Sequence, residues 1–215
     1  MTEANAAPVS APARSIFAPY RVFNDFLDAA AVGNLLSLAV SEQSGFQPSK
    51  VGPRSAPVMN PNVRVSAVLR NPGRLAPIFS ERLESLAAEL VADMRLTPFI
   101  VGRIELELAA HGDGAFYMRH IDTATGGPAT KHRVLSGVYY FHSQPKGFSG
   151  GALRLYAIGD NNAFVDIEPA HNSLLVFPSW APHEVRPVSC PSGRFTDSRF
   201  AVNCWVWRKV ESAEV

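Results

Sequence analysis

The sequence predicts a mainly β domain with flanking helices, its core a double-sheet jelly roll or a barrel. Three observations predict it. From Pro98 to Trp207 the chain reads as eight short strand-like segments separated by Gly, Pro, Asn and Ser, the rhythm of an antiparallel sandwich or barrel. Helical periodicity is confined to the part ahead of that run, so the helices cover one face of a sheet and do not alternate with its strands. And 215 residues, 47% of them hydrophobic, supply the core of one domain. The expected organisation is a disordered Ala/Pro-rich tail over 1–15 and a single domain over 16–215.

Taken in order, YRVF (20–23) reads as a short strand leading into a helix near 25–43. There Phe26, Leu35, Leu36, Leu38 and Ala39 recur at helical spacing. Residues 44–62 carry four prolines and two glycines and read as a long loop, a length that is usually functional or mobile. VRVSAVLR (63–70) is a strand closed by Asn71-Pro72-Gly73. A second amphipathic helix runs from about Ser80 to Met94, with Leu83, Leu86, Leu90 and Met94 on one face. The eight strands then fall at 103–109, 115–122, 133–142, 151–157, 163–168, 173–178, 183–188 and 198–207. In the first of them Ile104, Leu106 and Leu108 alternate with Glu105 and Glu107, the pattern of a half-buried strand.

Composition excludes several function classes. A net charge of +1 points to no nucleic acid and no anionic membrane as partner. No apolar run reaches the roughly 18 residues of a membrane span. The N-terminal stretch has no apolar core before a cleavage site, so it is not a secretory signal. Cys190 and Cys204 are too few for a disulfide framework and read as free thiols, which favours a reducing compartment, by default the cytoplasm.

The chemistry-bearing feature is His120-Ile121-Asp122. In a strand the period of two sends His120 and Asp122 to one face and Ile121 to the other. A third metal ligand must come from elsewhere, and His183, opening a late strand, is the best placed remaining histidine. Two imidazoles and one carboxylate leave coordination positions open, the arrangement of mononuclear Fe(II) oxygenases. Zinc accepts the same donors, and a His-x-Asp pair alone is common.

The order of longer motifs narrows the choice. YMRHID, GVYYFHSQPKGFSGGALRLY, DIEPAHNSLLVFPSWAPHEVRPV and RFAVNCW together resemble the Fe(II)- and 2-oxoglutarate-dependent dioxygenases of the prolyl 4-hydroxylase superfamily, in particular the Egl-nine-like prolyl hydroxylases and their bacterial relatives. The resemblance covers about residues 100–207 and implies, of the two forms, a double-stranded β-helix, a cupin-like jelly-roll core. It makes His120, Asp122 and His183 the iron ligands. It places Arg199 and Tyr140 on the distal carboxylate of 2-oxoglutarate, a task suited to the guanidinium fork. It puts Leu153, Asn203 and Trp205 around the cosubstrate and Tyr117 beside the metal. Arg64 and Ser66 are implied to face the substrate. Fe(II) is the implied cofactor, with 2-oxoglutarate and O2 as cosubstrates and ascorbate as a reductant.

The chain departs from that pattern in the longer gap between His183 and Arg199, whose insert SCPSGRFTD carries a second arginine, Arg194. Either could bind the cosubstrate; Arg199 shares strand parity with Asn203 and Trp205 and is preferred. Gly150-Gly151 serves either a hairpin turn or a close backbone approach. His111, His132, His142 and His171 read as structural or surface residues, and Glu184 as a solvated neighbour of His183. The loops 44–62 and 123–132 are expected lids. The implied reaction converts 2-oxoglutarate and O2 to succinate and CO2 while hydroxylating a C–H bond. Three readings stay open: a prolyl residue in a peptide or protein as substrate, a small molecule or natural-product intermediate, or a non-catalytic metal-binding jelly roll.

Overall fold

The computed structural model describes residues 15–52, 56–70, 73, 75–123 and 132–210; the expected tail, apart from Ser15, and most of the 123–132 loop lie outside these. The strands are β1 (Ile16–Phe17), β2 (Arg21–Asn24), β3 (Gln47–Pro48), β4 (Arg64–Val65), β5 (Ala67–Arg70), β6 (Val101–His111), β7 (Phe116–His120) and β8 (Arg133–Phe141). They continue with β9 (Ser149–Gly150), β10 (Leu153–Ile158), β11 (Asp160–Ile167), β12 (Ser173–Pro178), β13 (His183–Val185), β14 (Val188–Ser189) and β15 (Arg199–Arg208). Two helices, α1 (Ala29–Ser41) and α2 (Ala76–Asp93), precede β6.

Apart from β9 and β14, which pair with each other, the strands form two facing antiparallel layers. The major sheet has the order β2-β12-β8-β15-β6-β5-β3, and the minor sheet has the order β1-β10-β13-β7-β4 with β11 beside β10. Side-chain alternation sorts the core. On β8 and β15, Leu135, Tyr139, Phe141, Phe200, Val202 and Cys204 pack with α1 and α2 through Leu35, Phe79, Leu83 and Leu90. The alternate positions, Val138, Tyr140 and Ala201, meet Leu153, Leu155 and Phe177 between the sheets. Helices on one face of one sheet leave the space between the sheets free for a site.

The helix layer is pinned by Asn172. Its Oδ1 accepts from Leu27 N and from the Tyr139 hydroxyl, both at 2.9 Å, and its Nδ2 donates to Leu27 O at 2.8 Å. Residue 28 then starts α1: the Asp28 carboxylate accepts from Ala31 N at 2.8 Å, satisfying one of the helix's free donors. Phe26, expected inside the helix, therefore lies ahead of it and packs on Phe79 and Tyr139.

Other boundaries moved for physical reasons. Helix α2 begins one turn earlier than its apolar periodicity indicated, because Pro77 sits in its first turn, where a missing N–H is harmless. The strand expected over 63–70 is broken at Ser66: β4 pairs with β7 in the minor sheet and β5 with β6 in the major one. The loop over 44–62 contains the short edge strand β3 and a bridge between Val51 and Val58; Pro48 is tolerated because it lies on an edge. Glu105 and Glu107 belong to the inner face of the sandwich, where they hold Arg133 and Arg64 at 2.9 Å each. Both cysteines are free and buried. Among the described residues no helix is long and apolar enough to cross a membrane.

Candidate active site

Strands β7 and β13 run antiparallel with His120 directly opposite His183. Strand β7 ends at His120, so the pleat does not aim Asp122 as expected. A hydrogen bond does so instead: Asp122 N donates to Ser179 O at 2.9 Å, in the turn before β13. The result is a convergent triad. Asp122 Oδ1 lies 3.7 Å from His120 Nε2, and Oδ2 lies 3.7 Å from His183 Nε2. One ligand atom from each residue falls within 4.8 Å of the others.

Each imidazole is set in one tautomer. His120 Nδ1 lies 2.8 Å from Met118 O, and His183 Nδ1 lies 2.9 Å from Ala181 O. A carbonyl only accepts, so Nδ1 carries the proton and the Nε2 lone pair faces the triad centre. Burial, then the neighbouring His183, pulls the His120 pKa down to about 3, so the ring is neutral near pH 7. For Asp122 burial pushes upward, but the facing histidines and hydrogen bonds from Ser136 and Trp205 prevail, holding the carboxyl below its usual range. Ser136 Oγ donates to Asp122 Oδ2 at 2.7 Å and is itself 2.9 Å from Ser179 Oγ. Two imidazoles with Nε2 turned inward and a carboxyl held below its usual range, each oriented by a second hydrogen bond, suit a divalent metal with open positions.

Beside the triad lies a buried cation. Arg199, 1% exposed, opens β15 opposite His111. Its Nη1 is 3.3 Å from His111 Nδ1, and its guanidinium carbon sits 4.8 Å from the Tyr140 ring centre. Arg199 Nε and Nη2 and the Tyr140 hydroxyl are buried without a protein partner, and among the described residues Arg199 has no ion pair. Burial above all raises the Tyr140 pKa to about 12, against the pull of Arg199, so the phenol keeps its proton and can donate. Buried donors of this kind are costly unless something accepts from them. A carboxylate fits, since the fork and the hydroxyl are all donors.

Residues 106–207 match the 2OG-Fe(II) oxygenase superfamily, and the triad, Arg199 and Tyr140 all fall inside that span. The chain is 41% identical over 143 residues to an uncharacterized PKHD-type hydroxylase of Synechocystis, covering 63% of this chain and 46% of that protein; the chain thus spans about half the length of the curated relative it matches. Among solved structures, a prolyl-4-hydroxylase of Pseudomonas putida superposes with a TM-score of 0.65 at 23% identity, covering 89% of this chain and 93% of that one. A prolyl hydroxylase of Trichoplax adhaerens, in complex with a hypoxia inducible factor peptide fragment, gives 0.63 at 23% identity, covering 88% and 83%. These two likenesses concern the fold.

One cavity is lined by Arg64, Tyr117, Leu153, Asn203 and Trp205 together with the triad and Arg199. Tyr117 stacks on His120, ring centres 3.7 Å apart, and Arg64 lies over Tyr117 at 4.9 Å while pairing with Glu107. Asn203 donates to Glu107 at 3.3 Å. Ser66 is not on the cavity wall. It accepts from Arg64 Nε at 3.0 Å and lines an adjoining surface groove with Pro48, Met59, Pro61 and Val65, which Arg64 shares. Arg194 is 72% exposed and paired with Asp197 at 2.9 Å, away from the cavity.

The sequence reading missed two features of the site and left a third open. His111, taken as structural or surface, is buried and lines the cavity; its odd-numbered parity with Glu105 and Glu107 on β6 was the available signal. Ser136 shares parity with Val138 and Tyr140, yet a serine in an apolar strand carries no mark of its partner. Gly151 has φ +73°, and a Cβ there would lie 2.6 Å from Arg199 Cδ, so of the two roles for Gly150-Gly151 the close approach applies. Glu184, read as solvated, is buried and bonded to Arg186 at 2.8 Å, with Tyr156 of β10 a further hydrogen-bond partner.

Proposed function

We propose that this protein is a 2-oxoglutarate-dependent dioxygenase that hydroxylates a C–H bond, with Fe(II) held by His120, Asp122 and His183. The observation that carries the reading is the buried, unpartnered donor set of Arg199 and Tyr140 beside a His-Asp-His triad. A purely structural metal site needs no anion clamp. When bound, the iron supplies the oxidative chemistry, in which O2 and 2-oxoglutarate yield succinate, CO2 and the hydroxylated product. The chain's own residues position and exclude. The Arg199 fork and the Tyr140 hydroxyl hold the far carboxylate of 2-oxoglutarate, with Leu153, Asn203 and Trp205 as the walls of its pocket. Ser136 orients Asp122, and the Tyr117 ring shields His120 from water. Ascorbate is the proposed reductant, and the buried free thiols support a reducing compartment, the cytoplasm. We read 16–215 as one domain.

The proposed substrate is a prolyl residue of a peptide or protein. Support comes from the groove beside the cavity: it runs along Pro48, Met59, Pro61 and Val65 and shares Arg64 with the metal side, as an extended chain crossing the mouth requires. Two proteins of the same fold are prolyl hydroxylases, which makes a prolyl residue the first substrate to try.

Anaerobic reconstitution with Fe(II), followed by admission of oxygen, tests the reaction class. Succinate should form from 2-oxoglutarate, and His120→Ala or Asp122→Ala should abolish it. Wild-type protein that yields no succinate with or without proline-containing peptides would refute the enzyme reading. Turnover in either variant would refute the ligand set.

A further inference from the structure

The clamp arginine is held by an uncommon partner. A buried arginine is ordinarily met by a carboxylate, yet the group opposite Arg199 on β6 is His111, 3.3 Å from Nη1 at Nδ1. A guanidinium has only donors, so Nδ1 must be the acceptor, with its lone pair toward Arg199. This is the opposite tautomer to that of the two triad histidines. His111 is 3% exposed, and burial, followed by the Arg199 and Arg64 charges, keeps the ring neutral. Gly151 leaves the space through which the Arg199 methylenes pass. Held at Nη1, the fork presents Nε and Nη2, both without a protein partner.

We propose that His111 is the positioning residue of the anion clamp: an uncharged acceptor that orients Arg199 without neutralising it, leaving the full positive charge for the carboxylate of the incoming dicarboxylate. The inference rests on the clamp assignment made above. Its physical content is a preference among acceptors. A carboxylate at 111 would hold Arg199 more tightly and would also compete with the ligand for the same charge. An apolar side chain would leave the fork free to rotate and one more buried donor unpaired. A neutral acceptor avoids both.

Asparagine and aspartate are nearly the same shape and differ in charge, so they separate this role from a packing role. The measurement is anaerobic calorimetric titration of the Fe(II)-loaded protein with 2-oxoglutarate, beside a thermal melt of each variant. His111→Asn should bind 2-oxoglutarate within a few-fold of wild type, because its side-chain oxygen takes the place of Nδ1. His111→Leu should bind at least tenfold more weakly. His111→Asp should melt no lower than His111→Asn and yet lose at least a hundredfold in affinity. Equal affinities for the Asn and Asp variants would overturn the proposal, as would wild-type affinity in the Leu variant. Should the Leu variant fail to fold, the Asn–Asp comparison decides alone. A wild-type protein that takes up Fe(II) but not 2-oxoglutarate would instead refute the clamp itself, a separate outcome from three variants that all bind like wild type.

Discussion

Replacing Gly151 with alanine tests how strictly the backbone defines the clamp. Two costs can be read from the structure. The residue has φ +73°, and an added Cβ would stand 2.6 Å from Arg199 Cδ and 2.9 Å from Val188 Cγ2. A left-handed conformation costs an L-residue about 1–2 kcal/mol, and overpacking in a filled site costs about 1–3 kcal/mol more. The entropy lost from the unfolded chain on replacing glycine offsets only about 0.4–1 kcal/mol, so strain prevails. A net loss of about 2–4 kcal/mol corresponds to a melting temperature lower by roughly 4–16 °C in a chain of this size. Carbon atoms pack at about 3.5–4 Å, so Arg199 must retreat by about an ångström. A charged hydrogen bond spoiled in this way is worth about 1.5–3 kcal/mol, or roughly ten- to a hundredfold in affinity. Gly151→Ala should therefore melt lower and require at least tenfold more 2-oxoglutarate in a succinate-formation assay. A variant that melts within a degree of wild type at an unchanged 2-oxoglutarate requirement would refute the reasoning.

Three further outcomes follow from the same geometry. Arg199→Ala should sharply raise the apparent KM for 2-oxoglutarate, whereas Arg194→Ala, which removes a side chain 72% exposed, should leave it unchanged in the same assay. Ser136→Ala removes the 2.7 Å hydrogen bond to Asp122 and should weaken Fe(II) binding about 10- to 100-fold, read by anaerobic metal titration; unchanged affinity would show that Asp122 is oriented by other groups. The metal-free protein should lose stability on acidification below about pH 6.5. His120 is shifted to about 3 and His111 also lies well below its usual value. Between the folded and unfolded values only the unfolded chain binds those protons, so stability rises with pH and is lost as pH falls. The His120 shift alone is worth about 2 kcal/mol at pH 5, with His111 acting in the same direction, and a melting temperature that does not fall between pH 7.5 and pH 5 would contradict the burial of these rings.

The one-dimensional pattern was informative wherever a local rule governs. Alternation and turn residues located most of the strands from β6 to β15, because a sandwich strand must place apolar groups on a core face every second residue. The edge strands β1, β3 and β9 escaped it, being two residues long and defined by a neighbour rather than by a pattern. The triad was legible as residue types, with His183 chosen from among six histidines. Its reason in the fold, the pairing of β13 with β7 that sets His183 opposite His120, is a contact across more than sixty residues. Glu105 and Glu107 show the limit most clearly. Alternation assigned them to the less buried face, yet that face is the interior of the site, where Arg133 and Arg64 make their burial tolerable.

By itself the sequence indicated the β-sandwich class and the helical layer, through periodicity, and it offered the three donor residues and the preference for Arg199 over Arg194 as proposals, through residue chemistry and motif resemblance. Only the tertiary structure decided what surrounds them: Asp122 aimed by Ser179 and Ser136, Tyr117 stacked on His120, Gly151 giving way to Arg199, and His111 facing the clamp. These are contacts between segments distant along the chain, and strand register, which depends on how two sheets close over a common core, is what brings them together.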